Sequence, residues 1–163
     1  MLISCRSLFM GETDRLPLAT ELDFSAMEFQ GIYPFRTPVR ITGEITARAG
    51  VVRLTATASF RFDGRCDRCL GEFSRDYEVT MDHVLVTALE NEDSDLILLE
   101  EYQLPLDDLV QMDMLLELPY KSLCREDCSG LCPQCGKNLN EGPCGCRRET
   151  ADPRWNVLGQ LLN

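Results

Sequence analysis

Residues 39–62, VRITGEITARAGVVRLTATASFRF, alternate between apolar and polar side chains, and this stretch decides the fold. Before Gly50 the apolar side chains occupy odd positions, and after it they occupy even positions. Period two is the pattern of a strand with one buried face, and a glycine turn between two such strands indicates an antiparallel hairpin. The predicted inward residues are Val39, Ile41, Ile45, Ala47 and Ala49 on the first strand, and Val52, Leu54, Ala56, Ala58, Phe60 and Phe62 on the second.

The segments on either side of this hairpin are less regular, but they extend the sheet. Alternation resumes at Phe73 and predicts a third strand, and the apolar run Leu96–Leu99 predicts a short further strand. The inward residues of the third strand are Tyr77, Val79, Met81 and Leu85. Nearer the N-terminus we expect a strand over about residues 2–8 and irregular chain around Pro17 and Pro34.

Two helices are predicted after the strands. Apolar residues recur at three- and four-residue spacing over residues 106–118, two aspartates stand at the start, and Pro119 ends the segment. Asp152 and Pro153 suit the N-cap and first position of a closing helix over 153–162.

These patterns predict an α+β fold, mainly an antiparallel β meander or barrel-like sheet, with one or two helices. It is followed by a C-terminal cysteine-rich segment in which Cys132 and Cys135 have the spacing of a zinc-binding site. Residues 1–120 would form the β-rich domain, with its helix near 106–118. Residues 121–163 would form the zinc-binding tail with the closing helix.

Charge is distributed unevenly along the 163 residues. Sixteen basic and 27 acidic residues give a net charge of −11, which argues against a protein that grips nucleic acid with its whole surface. Residues 36–75 hold eight arginines and four acids, whereas residues 76–120 hold thirteen acids and no lysine or arginine. A run of like charge this long is either a solvated face or a binding surface for something basic.

The first residues lack the pattern of a secretory signal, and no apolar run approaches the roughly 20 residues that cross a bilayer. We therefore expect a cytoplasmic protein without a membrane segment. Its nine cysteines would then be reduced thiols, because the cytosol disfavours disulfides.

Six of the nine cysteines lie between Cys124 and Cys146, where only two aliphatic side chains occur. Such a segment cannot order itself by burying apolar surface, whereas structural zinc supplies on the order of 10 kcal/mol of folding free energy. Cys132 and Cys135, two residues apart and followed by glycine, have the spacing of a zinc knuckle, and Cys144 and Cys146 could complete four thiolate ligands.

A second pair, Cys66 and Cys69, lies in the predicted turn between the second and third strands. With Cys124 and Cys128 it could form a second four-cysteine zinc site that fastens the tail to the sheet, so the chain would hold one or two zinc ions. Thiol redox chemistry at Cys66 and Cys69 is the alternative, although it normally uses a cysteine at a helix N-terminus and strands flank this pair.

Three stretches resemble the YceD family of large ribosomal RNA subunit accumulation proteins. They are Cys66-Asp67-Arg68-Cys69-Leu70, the tail CREDCSGLCPQCGKNLNEGPCGC at 124–146, and Asp152-Pro153-Arg154-Trp155 followed by Leu158 and Leu161. The resemblance implies a role in the accumulation or maturation of large-subunit ribosomal RNA.

These features lead us to expect a non-catalytic ribosome-biogenesis factor. Its partners would be large-subunit ribosomal RNA, a basic ribosomal protein on the acidic stretch 76–120, or both. The arginines predicted to face RNA phosphates are Arg40, Arg48, Arg53, Arg61 and Arg68. Besides the redox alternative, a metal-dependent RNA-processing enzyme using acids such as Asp93 and Asp95 remains open.

Overall fold

The computed structural model describes residues 1–88 and 95–146. Its elements are β1 (Leu2–Ser4), α1 (Arg6–Phe9), β2 (Arg15–Leu22), β3 (Val39–Arg48), β4 (Val51–Arg65), β5 (Glu72–Val86), β6 (Leu96–Leu98), β7 (Gln103–Pro105), α2 (Leu106–Glu117) and a 3-10 turn at Leu139–Glu141. The described residues thus form a mostly β structure with two helices, which confirms the predicted fold class. The predicted helix over 153–162 lies outside the described residues.

The main sheet has five strands in the order β2-β3-β4-β5-β6. The first four are antiparallel neighbours in chain order, so the predicted meander is confirmed. The short strand β6 pairs in parallel with β5, which departs from a simple meander. A separate two-stranded sheet pairs β1 with β7 in antiparallel fashion.

The sheet curls into a half-barrel, and Gly43 in β3 marks a point of very close approach between strands. A Cβ atom placed there would lie 2.3 Å from the Thr55 carbonyl oxygen and 2.4 Å from Ala56 Cα. No side chain fits at that distance, so the contact between β3 and β4 requires glycine.

The hydrophobic core fills the concave face of this sheet. The buried residues include Val39, Ile41, Ile45, Val52, Leu54, Ala56, Ala58, Phe60 and Phe62 from the hairpin, Val79, Met81 and Leu85 from β5, and Leu106, Leu109, Val110 and Met114 from α2. The predicted inward faces are therefore confirmed along both long strands. Ala49 is the exception: it is exposed with a left-handed φ of 50°, because β3 ends one residue earlier and the turn begins.

The N-terminal expectation is wrong in two places. The predicted strand over 2–8 is instead the short β1 followed by α1, and Pro17 lies inside β2 rather than in irregular chain. Proline lacks an amide donor, and it is tolerated here because β2 is the edge strand of the sheet. Pro34 does lie outside regular structure, and its carbonyl accepts a 2.9 Å hydrogen bond from the Asp63 amide.

Helix α2 packs against the inner face of β5. Its buried side chains join the core, and Asp113 Oδ2 lies 2.6 Å from His83 Nε2 on β5. This polar contact lets a histidine occupy an inward sheet position with a hydrogen-bonding partner.

Candidate metal centres

Eight cysteines form two groups of four in the described structure. We call Cys66, Cys69, Cys124 and Cys128 the sheet cluster, and Cys132, Cys135, Cys144 and Cys146 the tail cluster. Within each cluster all four sulfur atoms lie within 4.8 Å of one another, so either group could hold a metal ion. None of the nine cysteines forms a disulfide, and Cys5 lies apart in the core. The grouping matches the two sets that the sequence suggested.

The sheet cluster starts from a tight turn that joins β4 to β5. The Cys66 amide donates to the Gly71 carbonyl at 2.9 Å, and the Cys66 carbonyl accepts from the Leu70 amide at 2.8 Å. Leu70 has a left-handed φ of 59°, which an L-residue other than glycine rarely adopts. The turn thereby brings Cys69 back beside Cys66.

The tail cluster starts from an equivalent turn. The Cys132 amide donates to the Lys137 carbonyl at 2.8 Å, and the Cys132 carbonyl accepts from the Gly136 amide at 2.8 Å. Gly136 takes the left-handed position with a φ of 72°. The two turns therefore share one hydrogen-bond pattern, although one follows a β-strand and the other lies in a segment with few apolar side chains.

In both turns, backbone amides point at the first sulfur. Burial raises the pKa of Cys66, but hydrogen bonds from the amides of Cys124, Cys69 and Arg68 outweigh it and lower the pKa to about 6. Hydrogen bonds from the amides of Cys135 and Gln134 lower the pKa of Cys132 to about 6 in the same way.

Each cluster also contains a thiol that resists ionisation. Burial, together with the neighbouring cysteines, raises the pKa of Cys124 to about 12. Interaction with Cys135, followed by burial, raises the pKa of Cys146 to about 12. Four adjacent thiolates repel one another, so full ionisation of either cluster requires a cation at its centre.

The residues between Cys66 and Cys69 fasten the tail to the sheet. The Asp67 amide donates to the Ser122 carbonyl, and the Ser122 amide donates to Asp67 Oδ2, both at 2.8 Å. Arg68 Nη1 donates to the carbonyls of Cys128 at 2.9 Å and Glu126 at 3.3 Å. Arg68 is one of the arginines predicted to face RNA, and in the structure its guanidinium holds the chain that carries Cys128.

Asn140, on the 3-10 turn, contacts the sheet cluster from the tail. Its Nδ2 lies 3.3 Å from Cys128 Sγ, and its Oδ1 accepts from the Ser129 amide at 2.8 Å and from Arg125 Nη2 at 2.7 Å. Hydrogen bonds of this kind orient a ligand and stabilise negative charge on sulfur. Sequence reasoning missed Asn140, because nothing in the spacing of cysteines points to it.

The two clusters differ in exposure. In the sheet cluster Cys66 and Cys128 are 0% and 3% exposed and the other two cysteines are half-buried. In the tail cluster Cys132 is 7% exposed, two cysteines are half-buried and Cys135 is exposed. The sheet cluster is therefore an interior joint between sheet and tail, and the tail cluster lies nearer to solvent.

The predicted nucleic-acid residues lie on the outer face of the sheet or at its end, and most have partners inside the protein. Arg40 pairs with Glu21 at 3.3 Å, Arg53 Nη2 with Asp82 Oδ2 at 2.7 Å, and Arg61 with Asp63 at 3.3 Å. Arg48 is exposed at the end of β3. Across β2 to β5 the outer face carries six arginines and seven acids, so its charges nearly balance. They are Arg15, Arg40, Arg48, Arg53, Arg61 and Arg65, and Glu21, Glu44, Asp63, Glu72, Asp76, Glu78 and Asp82. RNA binding by these arginines stays a prediction.

Two further predictions concern the acids of the alternative RNA-processing enzyme and the absence of a membrane segment. Asp95 is exposed immediately before β6, and Asp93 lies outside the described residues. No helix within residues 1–88 and 95–146 is long and apolar enough to cross a membrane.

A curled, mainly antiparallel sheet with two four-cysteine clusters, one of which joins the sheet to the tail, defines a mainly β protein with two candidate metal centres. The chain belongs to the YceD family: the sequence model described as "Large ribosomal RNA subunit accumulation protein YceD" matches residues 54–162. That range includes all eight clustered cysteines.

Several relatives are similar to the chain. An uncharacterized protein of Mycobacterium tuberculosis is 33% identical over 116 residues, which is 68% of this chain and 56% of that protein. An uncharacterized protein of Mycobacterium leprae is 25% identical over 130 residues, covering 77% and 59%. The Arabidopsis thaliana protein named "Large ribosomal RNA subunit accumulation protein YCED homolog 1, chloroplastic" is 41% identical over 46 residues, covering 28% and 14%. The chain spans little more than half the length of the mycobacterial relatives, and no solved structure matches it.

Proposed function

We propose that the chain is a non-catalytic, cytoplasmic ribosome-biogenesis factor that supports the accumulation or maturation of large-subunit ribosomal RNA. It acts by binding, with large-subunit ribosomal RNA, a basic ribosomal protein, or both as partners. The observation that carries the proposal is membership of a family named for large-subunit RNA accumulation, over residues 54–162. The printed name of the Arabidopsis relative supports the same role.

We further propose that each cluster holds one structural zinc ion. Four sulfurs at about 2.3 Å from a central zinc, in a tetrahedron, lie about 3.8 Å from one another. Cys69 and Cys124 have their sulfurs 3.7 Å apart, and Cys66 and Cys128 have theirs 3.8 Å apart. A disulfide needs about 2.0 Å, so these separations suit a shared ion far better than a covalent bond.

Zinc in these sites would organise the protein and would not catalyse. Four thiolates fill a tetrahedral coordination sphere and leave no open position for water or substrate. The segment 124–146 has two aliphatic side chains, so metal binding rather than apolar burial would supply the free energy that orders it.

Surface charge supports a basic protein partner more than direct contact with RNA on the sheet. The outer face of the sheet carries nearly balanced charges, which include Asp76, Glu78 and Asp82. Residues 76–120 carry ten further acids and no lysine or arginine. Phosphate binding depends on unpaired cationic groups, and a basic protein would instead gain from the acidic surface.

Deletion and complementation test the cellular role. Cells that lack the gene should show a lowered ratio of large- to small-subunit ribosomal RNA, and the wild-type chain should restore it. Cys128→Ser should fail to restore it, whereas the matched control Cys5→Ala, outside both clusters, should succeed. An unchanged RNA ratio in the deleted cells would contradict the proposed function.

Metal analysis tests the zinc assignment separately. The purified chain should contain about two zinc ions, and Cys128→Ser should lose one of them. A wild-type content of one ion would leave one cluster as free thiols and contradict the two-centre assignment.

The two alternatives have direct tests. An RNA-processing enzyme would cleave precursor RNA with Mg²⁺ and lose that activity on Asp93→Asn with Asp95→Asn. A redox protein would form a Cys66–Cys69 disulfide under mild oxidant while zinc remains bound at the tail cluster. We expect no such disulfide, because all four sulfurs of the sheet cluster would be engaged by metal. We also expect no RNA cleavage, because the chain is proposed to act by binding.

A further inference from the structure

A surface groove of about 450 Å³ lies between β6 and the β1–β7 pair, away from both cysteine clusters. Its lining residues are Leu2, Leu98, Glu100, Glu101, Gln103 and Pro105. Leu2 and Leu98 are 67% and 45% exposed, although burying each would be favourable. Exposed leucines that converge on one groove mark a surface suited to a binding partner.

The groove is negatively charged as well as apolar. Glu100 and Glu101 are exposed at its rim, and the nearby N-terminal amine is already paired with Asp107. Residues 76–120, which supply most of the lining, contain no lysine or arginine. The groove therefore presents two carboxylates beside leucine side chains with no basic group from that stretch to neutralise them.

The acidic rim is held in place by a tight turn. The Gln103 amide donates to the Glu100 carbonyl at 2.8 Å, and Glu101 and Tyr102 both have left-handed φ values, 49° and 63°. The Tyr102 carbonyl accepts from the Cys5 amide at 2.8 Å. Because the backbone is anchored on the core side, the rim needs little ordering when a partner binds.

We propose that this groove binds an extended, lysine- or arginine-rich protein segment with interspersed aliphatic side chains. The basic groups would face Glu100 and Glu101, and the aliphatic groups would cover Leu2 and Leu98. Strand β6 ends the sheet order among the described strands, so an extended segment matches the surface beside it. RNA, an anionic lipid surface and a second copy of this acidic chain would all bring like charge to the rim.

This inference rests on the proposed function, since it gives the site and chemistry of its basic protein partner. The probe is a fluorescent twelve-residue peptide of alternating lysine and leucine, and binding to the purified, metal-loaded chain is measured by fluorescence anisotropy at low and moderate salt. Peptides alternating lysine with serine, or glutamate with leucine, and a twelve-nucleotide RNA serve as comparison probes.

The lysine–leucine peptide should bind most tightly and weaken with salt, and the glutamate–leucine peptide should not bind. Tighter binding of the RNA, or equal binding of the two leucine peptides, would overturn the proposal.

Variants locate the binding. Glu100→Lys with Glu101→Lys should weaken the lysine–leucine peptide about tenfold or more at low salt, because two attractive charges become repulsive. Leu2→Asn should weaken it several-fold. The matched controls are Glu117→Lys and Leu116→Asn, exposed residues on α2, and they should change affinity little. Equal losses in the controls would show that the peptide binds elsewhere and would overturn the assignment.

The groove and the proposed function can fail separately. Suppose that deleting the gene lowers large-subunit ribosomal RNA, but the groove variants bind the peptide as well as the wild type does. The proposed binding groove would then be refuted and the proposed function would stand. Specific peptide binding with no change of ribosomal RNA on deletion would refute the function and leave the groove.

Discussion

Replacing Arg68 with alanine tests whether this side chain is a structural fastener. In the structure its guanidinium donates to the carbonyls of Cys128 and Glu126, at 2.9 and 3.3 Å, across 58 to 60 residues of chain. Arg68→Ala leaves both carbonyls without this donor and loosens the backbone that presents the Cys128 sulfur.

The expected loss is about 1–2 kcal/mol of unfolding free energy. Hydrogen bonds from a charged donor contribute about 1.5–3 kcal/mol each when buried, and these are partly exposed, one of them long. With a urea slope of about 2 kcal/mol per molar, the midpoint should fall by about 0.5–1 M. Zinc should also leave the sheet cluster faster when a chelator is added.

The measurements are urea unfolding followed by circular dichroism and zinc release followed by a metal-sensitive dye. Arg48→Ala is the matched control, because Arg48 is an exposed arginine at the end of β3. Arg48→Ala should change the free energy of unfolding by less than about 0.5 kcal/mol. If Arg68→Ala matches Arg48→Ala in both stability and zinc release, the fastening role is wrong.

Two further pairs of substitutions probe the turns and the curl of the sheet by denaturant unfolding. Leu70→Gly should stabilise the protein by up to about 1 kcal/mol, because it removes left-handed strain at a side chain that is 58% exposed. Gly136→Ala, in the equivalent turn, should cost about 1 kcal/mol. Changes of the same sign would contradict the equivalence of the turns. Gly43→Ala should cost more than about 2 kcal/mol, because the new Cβ would overlap the Thr55 carbonyl oxygen. Gly145→Ala, with open space around the new Cβ, should be near neutral. Equal effects would refute the close approach of β3 and β4.

Local periodicity was enough to predict the central part of the fold. Alternation assigned β3, β4 and β5 and their inward faces, since one buried face imposes period two whatever the rest of the chain does. Helix α2 was also predicted within one residue, from its acidic start and the proline after it. Local pattern could not reveal the parallel pairing of β6, which depends on contacts distant in sequence.

The sequence predicted the cysteines of the candidate site, but not the side chains that hold them in place. Counting and spacing gave the two sets of four, because thiolate ligands come in fours for a closed tetrahedral site. The contacts of Arg68 and Asn140 depend on where the tail folds back, which spacing does not encode. The same limit applies to Arg40 and Arg53, whose acidic partners lie on neighbouring strands.

Hydrogen exchange of the metal-loaded and chelator-treated protein is the most direct test of the central claim, that metal in the cysteine clusters orders the tail and joins it to the sheet. After chelation, amides over 121–146 should lose most of their protection, while those of β3 and β4 should keep theirs. Unchanged protection over 121–146 in the metal-free protein would show that other contacts hold the tail, and would contradict the account.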